Sequence, residues 1–122
     1  MDKNLIICTT PLQILLAEKI MDVVQGDYTV VIITRHNNDK YQYYSNRIKE
    51  KSNSLLYYYL RSITKYSRLW EVLNFKIDFD LFSQEGYRYC FLASIDNPLS
   101  LRILSNIKFQ ELRTFDDGTA NI

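Results

Sequence analysis

The 122-residue chain holds only three glycines. A glycine-rich phosphate loop or a G-x-G-x-x-G dinucleotide fingerprint needs closely spaced glycines behind a strand, and no strand here is followed by such a cluster. Histidine occurs once, as His36, and cysteine twice, as Cys8 and Cys90. There is no partner His or Cys to complete a metal site, and no Ser-His-Asp order can be assembled convincingly. A lone loop histidine such as His36 reads as a solvated surface residue. Long apolar runs are also missing. Met1-Asp2-Lys3-Asn4 leads into six apolar or small residues before Pro11, too few for a signal-peptide core or a bilayer span. Fifteen basic and fourteen acidic side chains leave a net charge of +1. No strong field would draw the whole chain onto nucleic acid or an anionic membrane, and nucleic acid is not an expected partner. Arg47, Lys49, Lys51 and Arg61 remain as material for a local basic patch.

What is present is typical of a globular domain. Hydrophobic residues make up 47% and charged residues 24%, and residues 1–122 suffice for one domain with a sizeable core. Ten tyrosines are the compositional oddity, several of them in Tyr41, Tyr43, Tyr44 and Tyr57-Tyr58-Tyr59. Amphipathic rings of this kind cover half-buried surface; stacking on sugar rings or on a partner domain is the functional alternative.

Leu5-Ile6-Ile7-Cys8 is wholly apolar, which suits a strand buried on both faces of a parallel sheet. A helix start follows. Thr10 can be its N-cap, Pro11 its first residue and Gln13 its third, so Thr-x-x-Gln forms a capping box. Leu12, Leu15, Leu16, Ile20, Val23 and Val24 recur at helical spacing, and Gly26 supplies the stop. Tyr28 to Thr34 is rich in β-branched residues and reads as a second strand. Arg35 to Asp39 is a polar loop, and Tyr41, Tyr44 and Ile48 describe a helix exposed on one side. Leu55 to Leu60 reads as a third strand, with a helical reading left open. From Ile63 to about Phe82 the spacing of Tyr66, Trp70, Leu73, Ile77 and Leu81 predicts a helix. Tyr89 to Ala93 is the next strand, and a helix capped by Asn97 with Pro98 at its first position follows. Glu111 to Phe115 is the last strand. Cys8 and Cys90 sit inside two of these strands and read as free buried thiols of a reducing cytoplasm, although the sequence leaves a disulfide between them open.

The order β-α-β-α-β-α-β-α-β predicts an α/β fold: a Rossmann-like, open, mostly parallel sheet with helices on both faces. Ligands of such sheets bind beyond the carboxyl ends of the strands. Three strand ends carry polar groups suited to that rim: Thr9-Thr10-Pro11, Ser94 to Pro98, and Asp116-Asp117-Gly118-Thr119. Thr10 and Asn97 also read simply as caps. Asp116-Asp117 is either a solvated Asp-Gly turn or a strand-end general base, since neighbouring carboxylates discourage each other's ionisation.

Residues Asn4 to Gln13 with Ala17-Glu18-Lys19-Ile20, then Ala93 to Pro98, then Thr114 to Ile122, resemble three blocks of glycosyltransferase family 52, the bacterial lipooligosaccharide and capsule sialyltransferases. The resemblance covers essentially the whole chain and is least distinctive over about residues 36 to 86. It implies the GT-B arrangement of two Rossmann-like domains across a cleft. It also implies inverting transfer of sialic acid from CMP-sialic acid to a galactose-terminated glycan, with no cofactor and no metal. By motif match Asp117 is the general base. Thr9, Thr10, Gln13, Asp96, Asn97, Asp116, Gly118 and Thr119 are the expected substrate-binding residues.

The family's downstream His-Pro motif, thought to serve the CMP leaving group, has no counterpart here, and four residues follow Gly118. The expectation is thus an acceptor-side domain, lacking the C-terminal nucleotide-binding domain and inactive by itself. A cytoplasmic location is expected, with peripheral contact at the inner face of the inner membrane and homodimer formation as open alternatives. Rival readings keep the fold but change the sugar donor, or make the chain a stand-alone flavodoxin-like binding or signalling domain.

Overall fold

The computed structural model describes residues 2–61, 64–93 and 97–115, with Lys65 described by its backbone alone. Strands Lys3–Cys8 (β1), Asp27–Thr34 (β2), Ser54–Tyr59 (β3), Tyr87–Leu92 (β4) and Phe109–Thr114 (β5) alternate with helices Pro11–Val23 (α1), Asp39–Lys51 (α2), Lys65–Asn74 (α3) and Pro98–Ser105 (α4). The five strands form one sheet in the order β3-β2-β1-β4-β5, and every pairing is parallel. Chain direction across the sheet reverses between β1 and β4, so these two strands flank the switch point. The expected Rossmann-like α/β architecture is present.

The apolar runs are uninterrupted because the central strands bury both faces. Leu5, Ile7, Val31 and Ile33 point into one core with Val72 of α3 and Leu99 and Ile103 of α4. Ile6, Cys8, Val30 and Ile32 point into the other with Ile14 and Ala17 of α1 and Ile48 of α2. Fully burying one such side chain is worth about 1.5–3 kcal/mol, so these two layers dominate the stability. β5, in contrast, is exposed at every position, as befits an edge strand bearing Gln110, Glu111 and Arg113.

Several local expectations shift. Thr10 caps α1 by accepting from the Gln13 amide, but the reciprocal bond goes elsewhere. The Gln13 Oε1 accepts from the amide and hydroxyl of Thr9, at 2.7 and 2.9 Å, and so ties down the residue before the cap. Gly26 does not cap α1; the helix ends at Val23 with Val24 as its cap. Gly26 instead has φ of +152°, and a Cβ there would lie 2.6 Å from the Asp2 carbonyl and the Asn4 amide nitrogen. Its absence of a side chain lets the turn into β2 press against the start of β1.

The largest correction concerns the third helix. It stops at Asn74 rather than near Phe82, the chain then running extended to a short 3₁₀ turn at Phe79–Leu81. Tyr66, Trp70 and Leu73, whose spacing predicts the helix, face solvent. The end of α3 is held by Arg102 of α4, whose guanidinium donates to the carbonyls of Val72 and Phe75 at 2.8 and 2.6 Å. Carbonyls left over at a helix C-terminus need such partners. The local basic patch does not form. Arg47 pairs with the buried Glu18 at 3.1 Å and Lys51 with Asp22 at 3.4 Å, joining α2 to α1, while Arg61 lies beyond β3 over the Tyr59 ring.

Replacing Arg102 by Met keeps the aliphatic stem and removes both bonds. The expected cost is about 1–3 kcal/mol, read as a lower urea midpoint at unchanged slope. An unchanged midpoint would show that the clamp contributes nothing.

Candidate active-site cleft

Because all five strands are parallel, their carboxyl ends meet at one rim. A cleft of about 470 Å³ opens there. Its floor and walls come from Thr9 and Thr10 after β1, Thr34, Arg35 and His36 at the end of β2, and Leu60 after β3. Tyr41 of α2, Arg68, Leu69 and Val72 of α3, and Asn97 with Pro98 at the start of α4 complete it. The cleft thus gathers two of the strand ends marked in the sequence. The third leads the same way: the Phe115 amide still donates to the Leu92 carbonyl at 3.2 Å, beside β4 at this edge.

The rim is held by a short network. The Tyr41 hydroxyl donates to the Thr9 carbonyl at 3.3 Å, linking α2 to the loop after β1. The Thr34 hydroxyl accepts from the His36 amide at 2.9 Å and donates to the His36 carbonyl at 3.0 Å, folding the loop tightly after β2. The His36 and Tyr41 rings stack with centroids 6.0 Å apart. Arg35 reaches Glu71 of α3 at 3.2 Å, and the other Glu71 oxygen accepts from the Arg61 amide at 2.8 Å. That carboxylate therefore ties α3 to the loops after β2 and β3. The guanidinium of Arg68 has no hydrogen bond or ion pair with any described residue, and it lines the cleft as a free cation.

The sequence-marked residues divide as follows. Thr9, Thr10 and Asn97 stand on the cleft wall. Thr10 and Asn97 also serve as helix caps, the Asn97 Oδ1 accepting from the amides of Leu99 and Ser100. Gln13 is buried behind Thr9 and acts on the cleft through that residue. Asp96, Asp116, Asp117, Gly118 and Thr119 lie outside the described residues. Sequence reasoning left out Arg35 and Arg68, marked Tyr41 only as one of several tyrosines able to cover surface or stack on a sugar, and treated His36 as solvated surface; His36 is exposed, but it stands on the cleft wall. The rule used for the ends of β1 and β4 applies equally to β2 and points to Arg35 and His36. Nothing local marks Arg68, whose place depends on how α3 docks.

No group of three or more His, Cys, Asp or Glu side chains that could hold a metal ion occurs among the described residues. Cys8, the last residue of β1, is buried, its thiol donating to the Gln13 carbonyl at 3.7 Å. Burial pushes the Cys8 thiol far above the ordinary thiol range, and burial pushes Cys90 up to about 12. Neither supplies a thiolate nucleophile near neutral pH. Both are free, and they belong to opposite faces of the sheet.

Fold and cleft together define a Rossmann-like α/β domain with a ligand site at the carboxyl edge of its sheet. Glycosyltransferase family 52 matches residues 25–122, and the chain belongs to that family. It is similar to the CMP-N-acetylneuraminate:beta-galactoside alpha-2,3-sialyltransferase of Pasteurella multocida (strain Pm70), with 34% identity over 120 residues. It is also similar to the N-acetyllactosaminide alpha-2,3-sialyltransferases of Neisseria meningitidis serogroup A (33% over 122 residues) and Haemophilus influenzae Rd (29% over 123 residues). Each match takes in 98% of this chain but only 38%, 32% and 39% of the respective relative. The chain thus spans about a third to two-fifths of their length.

With both thiols held protonated, a thiol reagent such as DTNB is expected to leave the native protein unmodified and to titrate two thiols once urea unfolds it. Rapid labelling of the native chain would contradict the buried placement of Cys8 and Cys90.

Proposed function

We propose that this chain forms the acceptor-side half of a GT-B sialyltransferase. In this reading the cleft receives the galactose end of a glycan, and the donor CMP-sialic acid is held mainly by sequence that the relatives carry beyond the matched region. The observation that carries the proposal is the family match over residues 25–122 combined with a cleft where strand ends converge. The cleft suits a sugar. It pairs apolar surface from Ile33, Leu60, Leu69 and Val72 with hydroxyls from Thr9, Thr10 and Tyr41, the mixture that orients a small polar ligand.

The proposed reaction is inverting. The acceptor hydroxyl attacks the anomeric carbon of the sialyl group as CMP departs, while Asp117 removes the hydroxyl proton. A general base of this kind contributes about 10²–10⁴-fold to the rate. β5 ends at Thr114, at the carboxyl edge of the sheet that also carries Thr9, and Asp117 comes three positions later in the sequence, which supports this reading. Thr9, Thr10, Asp96, Asn97, Asp116, Gly118 and Thr119 are proposed to position the acceptor, with Gln13 supporting Thr9. The chemistry calls for no metal or cofactor, and the acceptor is proposed to be a lipooligosaccharide or capsule glycan at the cytoplasmic side of the membrane.

Saturation-transfer NMR on the purified chain tests the acceptor-side assignment. N-acetyllactosamine is expected to receive saturation, most strongly at its galactose protons, whereas CMP is not. Binding of CMP without binding of the galactoside would overturn the assignment. The base is tested by exchanging this chain into the matching 120 residues of the Pasteurella relative. There, Asp117→Asn should lower kcat by about 10²–10⁴-fold with KM little changed; undiminished turnover would remove Asp117 from the role.

A further inference from the structure

Helix α2 carries a polar stripe beside the edge strand β3. Gln42, Ser45, Asn46 and Lys49 recur at the spacing that sets residues on one side of a helix. With Asn37, Leu55 and Tyr57 they line a groove of about 310 Å³, separate from the cleft. We propose that this groove is a second sugar-binding subsite, taking an internal pyranose of a neutral glycan whose terminal galactose sits in the cleft. The inference rests on the acceptor-side reading for the identity of its ligand.

The lining matches the chemistry of a sugar. Tyr57 is 37% exposed, and its hydroxyl donates to the His36 carbonyl at 3.4 Å, which steadies the ring from its far end. A ring held in this way offers an apolar surface to the C–H face of a pyranose. The Gln42 side-chain amide donates to the Asn37 Oδ1 at 3.0 Å. That bond leaves the Gln42 Oε1 as an acceptor and the Asn37 Nδ2 as a donor on either side of it. Neighbouring sugar hydroxyls, each both donor and acceptor, complement such a pair. The side chains of Asn46 and Lys49 make no hydrogen bond or ion pair with any described residue and add further donors. Ser45 is 6% exposed, and its hydroxyl has no partner among the described residues. A buried hydroxyl left in that state is costly, and a ligand hydroxyl supplies what it lacks. No carboxylate among the described residues lines the groove, and Lys49 is the one cation there. A metal ion or a cluster of phosphates needs several charges; a neutral, hydroxyl-rich ligand does not.

One loop joins groove and cleft. His36 stands on the cleft wall and Asn37, the next residue, on the groove wall. Consecutive Cα atoms are about 3.8 Å apart, shorter than one glycosidic repeat. A glycan anchored in the cleft by its galactose thus crosses this loop and meets Tyr57 within a few sugars. The bond from Tyr57 to the His36 carbonyl holds the crossing in place.

The test titrates the nitrogen-15-labelled chain with N-acetyllactosamine and with a tetrasaccharide of two joined N-acetyllactosamine units. Two-dimensional NMR then gives both affinity and place. The tetrasaccharide is expected to bind roughly tenfold tighter, because its second contact is intramolecular. It should also move the side-chain amide signals of Asn37, Gln42 and Asn46, which the disaccharide leaves in place. Tyr57→Ala should bring the ratio of the two affinities close to one, Asn46→Ala should lower it, and Tyr57→Phe should keep most of it. Asn46 is exposed and makes no contact that the fold needs, so Asn46→Ala decides the matter if Tyr57→Ala does not fold. Equal affinities with the groove signals unmoved would refute this inference and leave the acceptor-side reading standing. A tenfold gain that survives both alanine substitutions would remove the assignment to this groove. Binding of neither saccharide would sink the acceptor-side reading and this inference with it.

Discussion

Strand β1 is enclosed on all sides: paired with β2 along one edge and β4 along the other, and packed against a helical layer on each face. Inside such a strand every backbone amide and carbonyl must be satisfied by a neighbour. Side chains must be apolar in both directions, which is why Leu5 to Cys8 shows no alternation. The same confinement fixes the cleft. Once β1 is locked, Thr9 and Thr10 have to leave the sheet at its carboxyl edge, and Gln13 and Tyr41 hold that exit in place. The polar buried residue Asn4 shows how tight the arrangement is. Its Oδ1 accepts from the Tyr89 amide at 3.3 Å across to β4, while its side-chain nitrogen approaches the turn at Gly26, where a Cβ would not fit.

The architecture was legible because its determinants are local. Apolar runs without alternation, two Pro residues at helix starts and polar residues at strand ends all fall within a few positions of one another. They led to the order of elements and to the caps Thr10 and Asn97. The edges of the strands moved by one to two residues, as β5 did by beginning at Phe109. A smaller part of the cleft was legible in the same way, through Thr9, Thr10 and Asn97.

What the sequence hid depends on tertiary placement. Helical periodicity over Tyr66, Trp70 and Leu73 identifies a face but not its direction, and here the face turns outward. The inward side is set by Val72, by Glu71 and by Arg102, none of which stands out in a hydrophobicity pattern. The continuation of that spacing through Ile77 and Leu81 misled further, because both belong to the extended segment and turn beyond the helix. Arg68 was invisible for the same reason: its position on the cleft wall follows from the docking of α3. The capping box was misjudged by one position, since Gln13 reaches past Thr10 to Thr9.

The strand order has a consequence for how the chain acquires its structure during synthesis. β1 is made first yet occupies the middle of the sheet, and Leu5 finds its partner Cys90 only 85 positions later. At about 5–20 residues per second, a ribosome leaves one edge of β1 without its partner for roughly 4–17 s. The β1-α1-β2-α2-β3 portion can assemble early, since its pairings join consecutive strands. It then waits with an apolar strand edge exposed, a state prone to pairing with other chains. The closing of β4 against β1 is therefore the step at which a nascent sheet becomes safe from aggregation.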